Sequence, residues 1–204
     1  MLNKFLHQLF SFLKSYFVVI FLFFIFLASS YSVLHESFFR GHDFTHASRI
    51  AEMSRALDEG QFPVRWSGNF GYGFGMPLFN FYAPLPYFIG AIFCKLCCSV
   101  VTSIKILYLL VNAITLLGAY FLGRKLLGRW GGLLLAAAYT LAPYRSVNLF
   151  VREALSETFA MAFLPLVLFA IIAFTKEQRK KYLFILFISL FAILLSHNLT
   201  ALIF

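Results

Sequence analysis

Residues 15–34 read SYFVVIFLFFIFLASSYSVL, a run of 20 residues without a charged side chain. A helix needs about 20 apolar residues to span the hydrocarbon core of a bilayer. Lys4 and Lys14 precede the run, and positive charge favours the cytoplasmic side of a span. Because the run is longer than the apolar core of a signal peptide, the sequence predicts a retained first helix with a cytoplasmic amino terminus.

The rest of the chain repeats this apolar pattern. It is 61% hydrophobic and 12% charged, and Phe occupies 28 of its 204 positions. Further apolar runs are expected to span the membrane at 104–123, 130–142, 156–175 and 182–204. The composition excludes a soluble fold and predicts an all-α, polytopic transmembrane helical bundle in the plasma (cytoplasmic) membrane.

The basic residues lie mainly at the ends of the apolar runs. The net charge is +9, but this placement favours contact with membrane lipids and argues against nucleic acid as a partner. Two basic connections, residues 124–129 and 176–181, are separated by two predicted spans. They must therefore share one side, and their charge indicates the cytoplasm.

The segment between the first two spans is predicted to be a long external loop, residues 35–103. A cytoplasmic 124–129 connection requires an even number of earlier crossings, and the first two spans already supply two. The apolar segment 82–98 is therefore expected to be an interfacial helix, with an ordinary spanning helix as the alternative. Because the final run stops at Phe204 without an exit loop, residues 1–204 are expected to be a single transmembrane domain from the amino-terminal part of a longer protein.

The external loop begins with a polar stretch, residues 41–60. Its apolar residues recur at spacings of three and four, which predicts a polar helix at 43–59. Asp43 stands where this helix would begin, so it is a candidate N-cap and equally a candidate general base. His42, His46 and Arg49 supply hydrogen-bonding and cationic groups beside it. The His42 and His46 pair has metal-ligand spacing, but without a third ligand no metal or cofactor is predicted.

Three further residues of the loop suit a polar ligand near a membrane. A guanidinium such as that of Arg65 binds phosphate well, and the indole of Trp66 suits an interface or a sugar face. The following segment, residues 68–77, reads GNFGYGFGMP and includes Tyr72. Its glycines allow close approach to a ligand or form a plain turn, and they match neither a P-loop nor a dinucleotide fingerprint.

The predicted topology places a second set of polar residues on the same side. Arg145, Arg152 and Glu153 lie in the connection 143–157, either as solvated helix ends or as groups that bind a lipid phosphate, with Glu153 as a second acid. His197 and Asn198 lie near the end of the last run. Polar groups at that depth usually face a cavity or a partner helix.

Several short motifs together resemble a family of bacterial and archaeal membrane proteins labelled as related to 6-pyruvoyl-tetrahydropterin synthase. They are GHD at 41–43 with His46 and Arg49, GQFPVRW at 60–66, GYG at 71–73, FYAP at 81–84, REALSE at 152–157 and SHNLT at 196–200. The label does not imply pterin chemistry. Pterin synthase is a soluble zinc enzyme, and its histidine ligands have no match here.

The order of parts is similar, more distantly, to membrane glycosyltransferases of the C-type fold, such as protein mannosyltransferases and the lipid A aminoarabinose transferase. That resemblance implies two helices along the membrane in the first external loop, an acid in that loop as the base, and a sugar donor on polyprenyl phosphate. By position the base would be Asp43. His42 stands where some of these enzymes have a second loop acid.

The sequence and the resemblance together favour an integral-membrane glycosyltransferase that acts on an extracytoplasmic acceptor. The expected catalytic residues are Asp43, His46 and Glu153. The expected substrate-binding residues are His42, Arg49, Arg65, Trp66, Tyr72, Arg145, Arg152, His197 and Asn198. The alternatives are a transporter or lipid-carrier component, which would place ionisable groups midway along its helices, and a scaffold subunit.

Overall fold

The described part of the chain folds into helices, and an isolated antiparallel bridge joins Ser67 to Met76. The computed structural model describes residues 2–34, 45–96 and 99–204, with side chains from Tyr16 onward. Its elements are α1 (Leu2–Ser30) with a 3₁₀ turn at Tyr31–Leu34, α2 (His46–Asp58), α3 (Leu78–Phe81), α4 (Leu85–Leu96), α5 (Val100–Thr140), α6 (Pro143–Phe150), α7 (Leu155–Glu177), α8 (Lys180–Leu194) and α9 (Asn198–Ile203). The predicted all-α helical bundle is confirmed, since the described residues form no β-strand.

Three helices of the described chain are long and apolar enough to cross a membrane. They are Tyr16–Leu34, Val100–Thr140 and Leu155–Glu177. Helix α5 packs between α1 and α7, and α8 packs along α7. The described bundle is therefore organised around α5.

Helix α5 is two antiparallel arms rather than one straight rod. Gly128 has φ 75° and ψ −165°, so the helix breaks there and an L side chain at this position would be strained. The chain then turns back, and a Cβ on Gly132 would lie 2.9 Å from the Tyr120 carbonyl oxygen. The runs predicted at 104–123 and 130–142 occupy the two arms.

The two basic connections lie at the same end of the bundle. Lys125 forms an ion pair with Glu177, which joins the turn of α5 to the end of α7. Near that turn the rings of Phe17 and Trp130 are 5.7 Å apart, which brings the amino-terminal half of α1 to the same end. This agrees with the shared side inferred from charge, while the assignment of that side to the cytoplasm stays a prediction.

At the opposite end, α2 and α4 pack against each other and against the first arm of α5. We call this pair of helices the external layer, after the predicted external loop in which it lies. A Cβ on Gly90 would meet Ile50 from α2 and Leu107 from α5, so the three helices pack closely. Ile50 and Leu107 are fully buried. At 12 residues, α4 is shorter than the roughly 20 residues that a span requires. The segment predicted at 82–98 therefore contributes a short helix to this layer.

The last apolar run differs from the single helix expected at 182–204. Helix α8 ends at Leu194, and α9 starts only after His197, whose Nδ1 accepts a hydrogen bond from the Thr200 amide at 3.3 Å. In the gap, the Leu195 carbonyl accepts a hydrogen bond of 2.9 Å from the Leu85 amide. The helix breaks here because the Leu195 carbonyl is bound by the Leu85 amide and the Thr200 amide is bound by the His197 side chain. In a continuous helix both backbone groups would form hydrogen bonds within the helix.

We expect Gly123→Ala to separate the arms of α5. A Cβ on Gly123 would overlap the Gly131 carbonyl oxygen, which is backbone and cannot rotate away. The free energy of unfolding should fall by about 1–3 kcal/mol, the usual cost of overpacking. Thermal denaturation followed by circular dichroism in detergent measures the change.

The matched control is Leu134→Ala, which shortens an exposed side chain on the second arm. It should leave the midpoint nearly unchanged. Equal midpoints for Gly123→Ala and the wild type would contradict the close contact between the arms.

Candidate functional site

His46 is a buried hydrogen-bonding centre that joins the external layer to the turn before α7. Its side chain is 3% exposed. Nε2 is hydrogen-bonded to the Glu153 carbonyl, and Nδ1 lies 3.0 Å from the Tyr87 hydroxyl oxygen. Because a carbonyl only accepts, Nε2–H must be the donor. In the neutral imidazole Nδ1 is then an acceptor, and the Tyr87 hydroxyl donates to it.

Tyr87 connects this histidine to a cation and to a serine. Arg49 Nη1 donates to the Tyr87 oxygen at 3.2 Å, and the Ser156 hydroxyl lies 3.3 Å from the same atom. Since the only Tyr87 proton is used toward His46, Ser156 donates. Burial raises the pKa of Tyr87, although the nearby Arg49 charge opposes the shift. Tyr87 therefore stays protonated and keeps the neutral tautomer of His46 in place.

The same Arg49 guanidinium covers an aromatic ring. Its central carbon lies 4.2 Å from the centroid of the Tyr82 ring, within the range of a cation–π contact. Arg49 is thus held by Tyr82 on one side and by Tyr87 on the other. The fixed cation places positive charge beside the His46 centre.

Glu153 is a buried acidic residue with an unusual backbone. Its φ is 51° and its side chain is 1% exposed. A non-glycine residue in this left-handed region costs roughly 1–2 kcal/mol, and such residues are concentrated at functional sites. The conformation aims the Glu153 carbonyl at His46 and positions the start of α7.

Arg152 belongs to a separate polar group at the same edge. It lies 3.3 Å from a Glu157 oxygen and 2.6 Å from the Asn148 side-chain oxygen. Tyr144 also donates to Glu157, at 2.6 Å.

Burial lowers the pKa of His197, although the negative charge of Glu157 partly offsets this, so the imidazole is neutral at pH 7.

Arg145, predicted to be either a solvated helix end or a group that binds a lipid phosphate, is instead a buried cation with 2% exposure. It donates to Asn112 at 2.7 Å, to the Thr115 hydroxyl at 3.1 Å and to the Thr140 carbonyl at 3.3 Å. Within the described ranges no carboxylate pairs with it. Burial lowers the pKa of Arg145 to about 10, so the guanidinium is still charged at neutral pH.

The ends of two helices stabilise this buried charge. Thr140 is the last residue of α5, and Asn112 in turn donates to the Ser29 carbonyl and the Ser30 hydroxyl at the end of α1. A helix carboxyl end has a partial negative charge of about half an electron, which favours a cation there. We therefore assign Arg145 to holding α1, α5 and α6 together rather than to substrate binding.

Glu52 attaches the glycine-rich loop, residues 68–77, to α2. Its carboxylate accepts from Arg55 at 3.1 and 3.2 Å, and from the Asn69 amide nitrogen at 3.1 Å. Burial would raise the pKa of Glu52, but the hydrogen bonds from Arg55 and Asn69 outweigh burial and lower it. Beyond Asn69 the loop folds over Trp66, whose ring packs on Gly75.

Three neighbouring cavities open beside this external layer. An apolar cleft of about 360 Å³ is lined by Met53, Phe62, Pro63, Val64, Pro84, Leu85, Phe88, Phe191 and Leu195. The Arg65 pocket, of about 660 Å³, shares four of these residues, namely Pro63, Val64, Pro84 and Leu195. The His197 cavity, of about 140 Å³, shares Phe81, Tyr82, Ala83 and Asn198 with the Arg65 pocket. An apolar compartment therefore lies next to a polar one, with wall residues in common.

Arg65 is the cation of the middle compartment. Its backbone is fixed because the Gln61 side-chain oxygen accepts from the amides of Arg65 and Trp66, at 2.6 and 2.8 Å. The side chain is exposed, and none of the described carboxylates forms an ion pair with it. Such a guanidinium is available to an anionic ligand.

The structure brings together some of the predicted site residues and separates others. His46, Arg49 and Glu153 meet at Tyr87, while Arg65, His197 and Asn198 line the cavities. The fully exposed Tyr72 lies on the glycine-rich loop, and Trp66 lies just before it. Asp43 and His42 lie outside the described residues. Among the residues that the structure does describe, no three His, Cys, Asp or Glu side chains come together as metal ligands.

Sequence reasoning missed Tyr87, Ser156 and Glu52. Tyr87 lies in an apolar segment and Ser156 in the REALSE motif, and the sequence alone indicates a hydrogen-bonding role for neither. A weak signal existed, because a hydroxyl within an apolar segment needs a buried partner. Glu52 looked like one more acid on a polar helix face, and its Asn69 partner lies 17 residues away.

Comparisons with known proteins identify a family without supplying a reaction. A family model described as the 6-pyruvoyl-tetrahydropterin synthase related domain, a membrane protein, matches residues 79–204. No curated protein and no solved structure matches the chain. The matched region includes Tyr87, Glu153 and His197, whereas His46 and Arg65 precede it.

Tyr87→Phe is expected to lower the free energy of unfolding by about 1–3 kcal/mol, because it leaves buried partners of the hydroxyl unsatisfied. Tyr82→Phe is the matched control. The Tyr82 hydroxyl makes no hydrogen bond to a described residue, so its removal should cost much less. Chemical denaturation of both variants measures the difference, and equal losses would contradict the role assigned to Tyr87.

Acid should release the glycine-rich loop from α2. Because the pKa of Glu52 in the folded chain is below its ordinary value of 4.5, this stabilisation is complete above that value and is lost as the pH falls through the lowered pKa. The chain has two tryptophans, so Trp130→Phe leaves Trp66 as the only tryptophan. Its emission should shift below about pH 4.5.

The control for this transition is Glu52→Gln in the same Trp130→Phe background. Without an ionisable group at residue 52 the emission should not change over that pH range. A transition of the same midpoint and size in the Glu52→Gln chain would assign it to another group.

Proposed function

The chain belongs to the membrane-protein family of the 6-pyruvoyl-tetrahydropterin synthase related domain. From that premise we propose that it belongs to an integral-membrane glycosyltransferase. The donor is a sugar on polyprenyl phosphate, and the acceptor is a hydroxyl group on the extracytoplasmic side. The single observation that supports this most strongly is that the apolar cleft and the Arg65 pocket are neighbours with four wall residues in common.

The apolar cleft suits the hydrocarbon part of such a donor. Its walls are aromatic and aliphatic, and Phe191 and Leu195 belong to the outer end of the α8 region, beside the membrane-spanning bundle. A hydrocarbon chain that leaves the bilayer for this cleft stays in apolar surroundings, and van der Waals packing against these walls stabilises it there. The cleft would hold the isoprenoid units nearest to the phosphate.

The Arg65 pocket suits the phosphate. The cleft and the pocket share Pro63, Val64 and Leu195, so a chain in the cleft brings its head group beside the guanidinium. Phosphate and guanidinium form paired, charge-assisted hydrogen bonds. During transfer the leaving phosphate gains negative charge, and a fixed cation next to it stabilises that charge.

The His197 cavity suits part of the sugar. Beyond the Arg65 pocket it presents the side chains of Ser156, His197 and Asn198 beside the Tyr82 ring. The Nδ1 atom of His197 accepts from Thr200, so the proton of the neutral ring lies on Nε2. No described residue binds that nitrogen. Nε2–H is thus a donor for a ring oxygen or a hydroxyl group of the sugar.

Asp43 is the proposed general base. It would take the proton of the acceptor hydroxyl while the acceptor oxygen attacks the anomeric carbon. The bond from that carbon to the phosphate oxygen breaks, and the phosphate leaves with the bonding electron pair beside Arg65. The product carries the sugar with inverted configuration, and the proton remains on Asp43 until water removes it.

His46 and Glu153 support this chemistry from buried positions. Both ring nitrogens of His46 are hydrogen-bonded, so we assign it to positioning the start of α2, three residues after Asp43. Arg49 adds positive charge at the same place, and Glu153 is the weaker candidate for a second acid. Arg152 is paired with Glu157 and contributes to the shape of this edge.

The test is binding and turnover by the complete protein in lipid nanodiscs, with labelled polyprenyl-phosphate sugars as the probe. Arg65→Gln should weaken donor binding about tenfold or more, because a hydrogen bond to a charged group is lost. Asp43→Asn should leave binding within about twofold of the wild type and abolish transfer, since it removes only the base.

Lys95→Gln is the matched control for the change of charge. It removes one cation from the same external layer, where Lys95 pairs with Asp58 away from the cavities. Its donor binding should equal that of the wild type. Failure of the wild type to bind any polyprenyl-phosphate sugar would reject the proposal and favour a transporter or scaffold.

A further inference from the structure

A second charged pocket lies at the opposite end of the bundle, far from the cavities described above. It has a volume of about 520 Å³ and is formed by α5, α7 and the start of α8. Three cations line it, Arg124, Lys125 and Lys181, against a single carboxylate, Glu177. The pocket therefore has an excess of positive charge.

The one carboxylate is already occupied. Glu177 forms an ion pair with Lys125, accepts a hydrogen bond of 2.8 Å from the Tyr182 hydroxyl and lies 3.6 Å from the Arg179 guanidinium. Within the described ranges Arg124 and Lys181 form no ion pair. Two lining cations thus remain without a compensating anion.

Ring contacts keep those two cations at the pocket. Arg124 lies 6.0 Å from the centroid of the Tyr120 ring, and the Lys181 ammonium lies 4.8 Å from that of Tyr182. Such contacts favour particular positions of long side chains that would otherwise extend into water. The start of α8 adds the partial positive charge of a helix amino end.

An aromatic wall continues from the pocket toward the middle of the bundle. The rings of Phe121 and Phe169 are 5.8 Å apart, and Phe169 meets Tyr182 edge to face at 5.9 Å. Phe121 is 40% exposed on the outside of the bundle. The pocket thus joins a cationic end to an apolar face that lipid chains can cover.

We propose that this pocket binds the phosphate of an anionic phospholipid such as phosphatidylglycerol. The phosphate contacts Arg124 and Lys181, and an acyl chain follows Phe121 and Phe169. Basic pockets between transmembrane helices bind anionic head groups in this way. The geometry favours a lipid over a soluble anion because the aromatic wall leads directly into the membrane-spanning part of α5 and α7.

The test measures how much phosphatidylglycerol the complete protein binds. The protein is purified in a neutral detergent and then mixed with phosphatidylglycerol, or with phosphatidylcholine as the comparison. Native mass spectrometry counts the bound lipids. Arg124→Gln and Lys181→Gln should each weaken phosphatidylglycerol binding about fivefold, because each removes one cation near the phosphate. Phosphatidylcholine binding should be weak throughout.

Lys180→Gln is the matched control, since it removes the same charge from the adjacent residue, which does not line the pocket. It should change phosphatidylglycerol binding by less than about twofold if the site is specific. Equal losses in all three variants would show only a diffuse attraction to the basic end and would overturn the proposal. Circular dichroism and size-exclusion elution identical to the wild type show that each variant is folded.

Competition with inorganic phosphate distinguishes a lipid phosphate from a soluble phosphate as the ligand of the pocket. Added at millimolar concentration to the loaded protein, it should leave phosphatidylglycerol bound, because it cannot replace the acyl contacts. Complete displacement would assign the pocket to a soluble phosphate and overturn the lipid assignment. Neither result depends on whether the chain takes part in sugar transfer.

Discussion

A buried guanidinium that no described carboxylate neutralises determines how the rest of the bundle is arranged. Arg145 is charged, yet its hydrogen-bond partners are two neutral side chains and a carbonyl. An isolated charge in such a place is costly unless partial charges surround it. Here α1 and α5 both end beside it, and their carboxyl ends supply the negative potential. These hydrogen bonds fix the ends of α1 and α5 relative to α6.

The candidate site is formed by the external layer and the turn before α7. His46 ties α2 to Tyr87 of α4 and to Glu153 before α7, so one imidazole bridges three elements. The cavities open between this layer and the residues around Leu195. The polar groups of the proposed site thus rest on buried, mutually hydrogen-bonded side chains, which keep a binding geometry more constant than a free loop would.

The sequence predicted the class of fold well, because apolar length and charge bias follow directly from the thickness and surface potential of a membrane. It placed the two basic connections together, and Lys125 does meet Glu177. It could not foresee the break before His197, which depends on a hydrogen bond between Leu85 and Leu195. It misjudged Arg145, because burial of a cation depends on helix ends that no local pattern reveals. Tyr87 was missed for the same reason, since its partners are 38 to 69 residues away along the chain.

The connection between Leu85 and Leu195 has a consequence for how the protein is made. One side of the apolar cleft comes from residues 53–88, and the other comes from Phe191 and Leu195, which emerge from the ribosome about a hundred residues later. Until α8 has inserted, Phe62 and Phe88 have no covering partner on that side and must be shielded by lipid or by a chaperone. The cleft is therefore completed late in synthesis, and truncation before α8 would yield an inserted protein that lacks it.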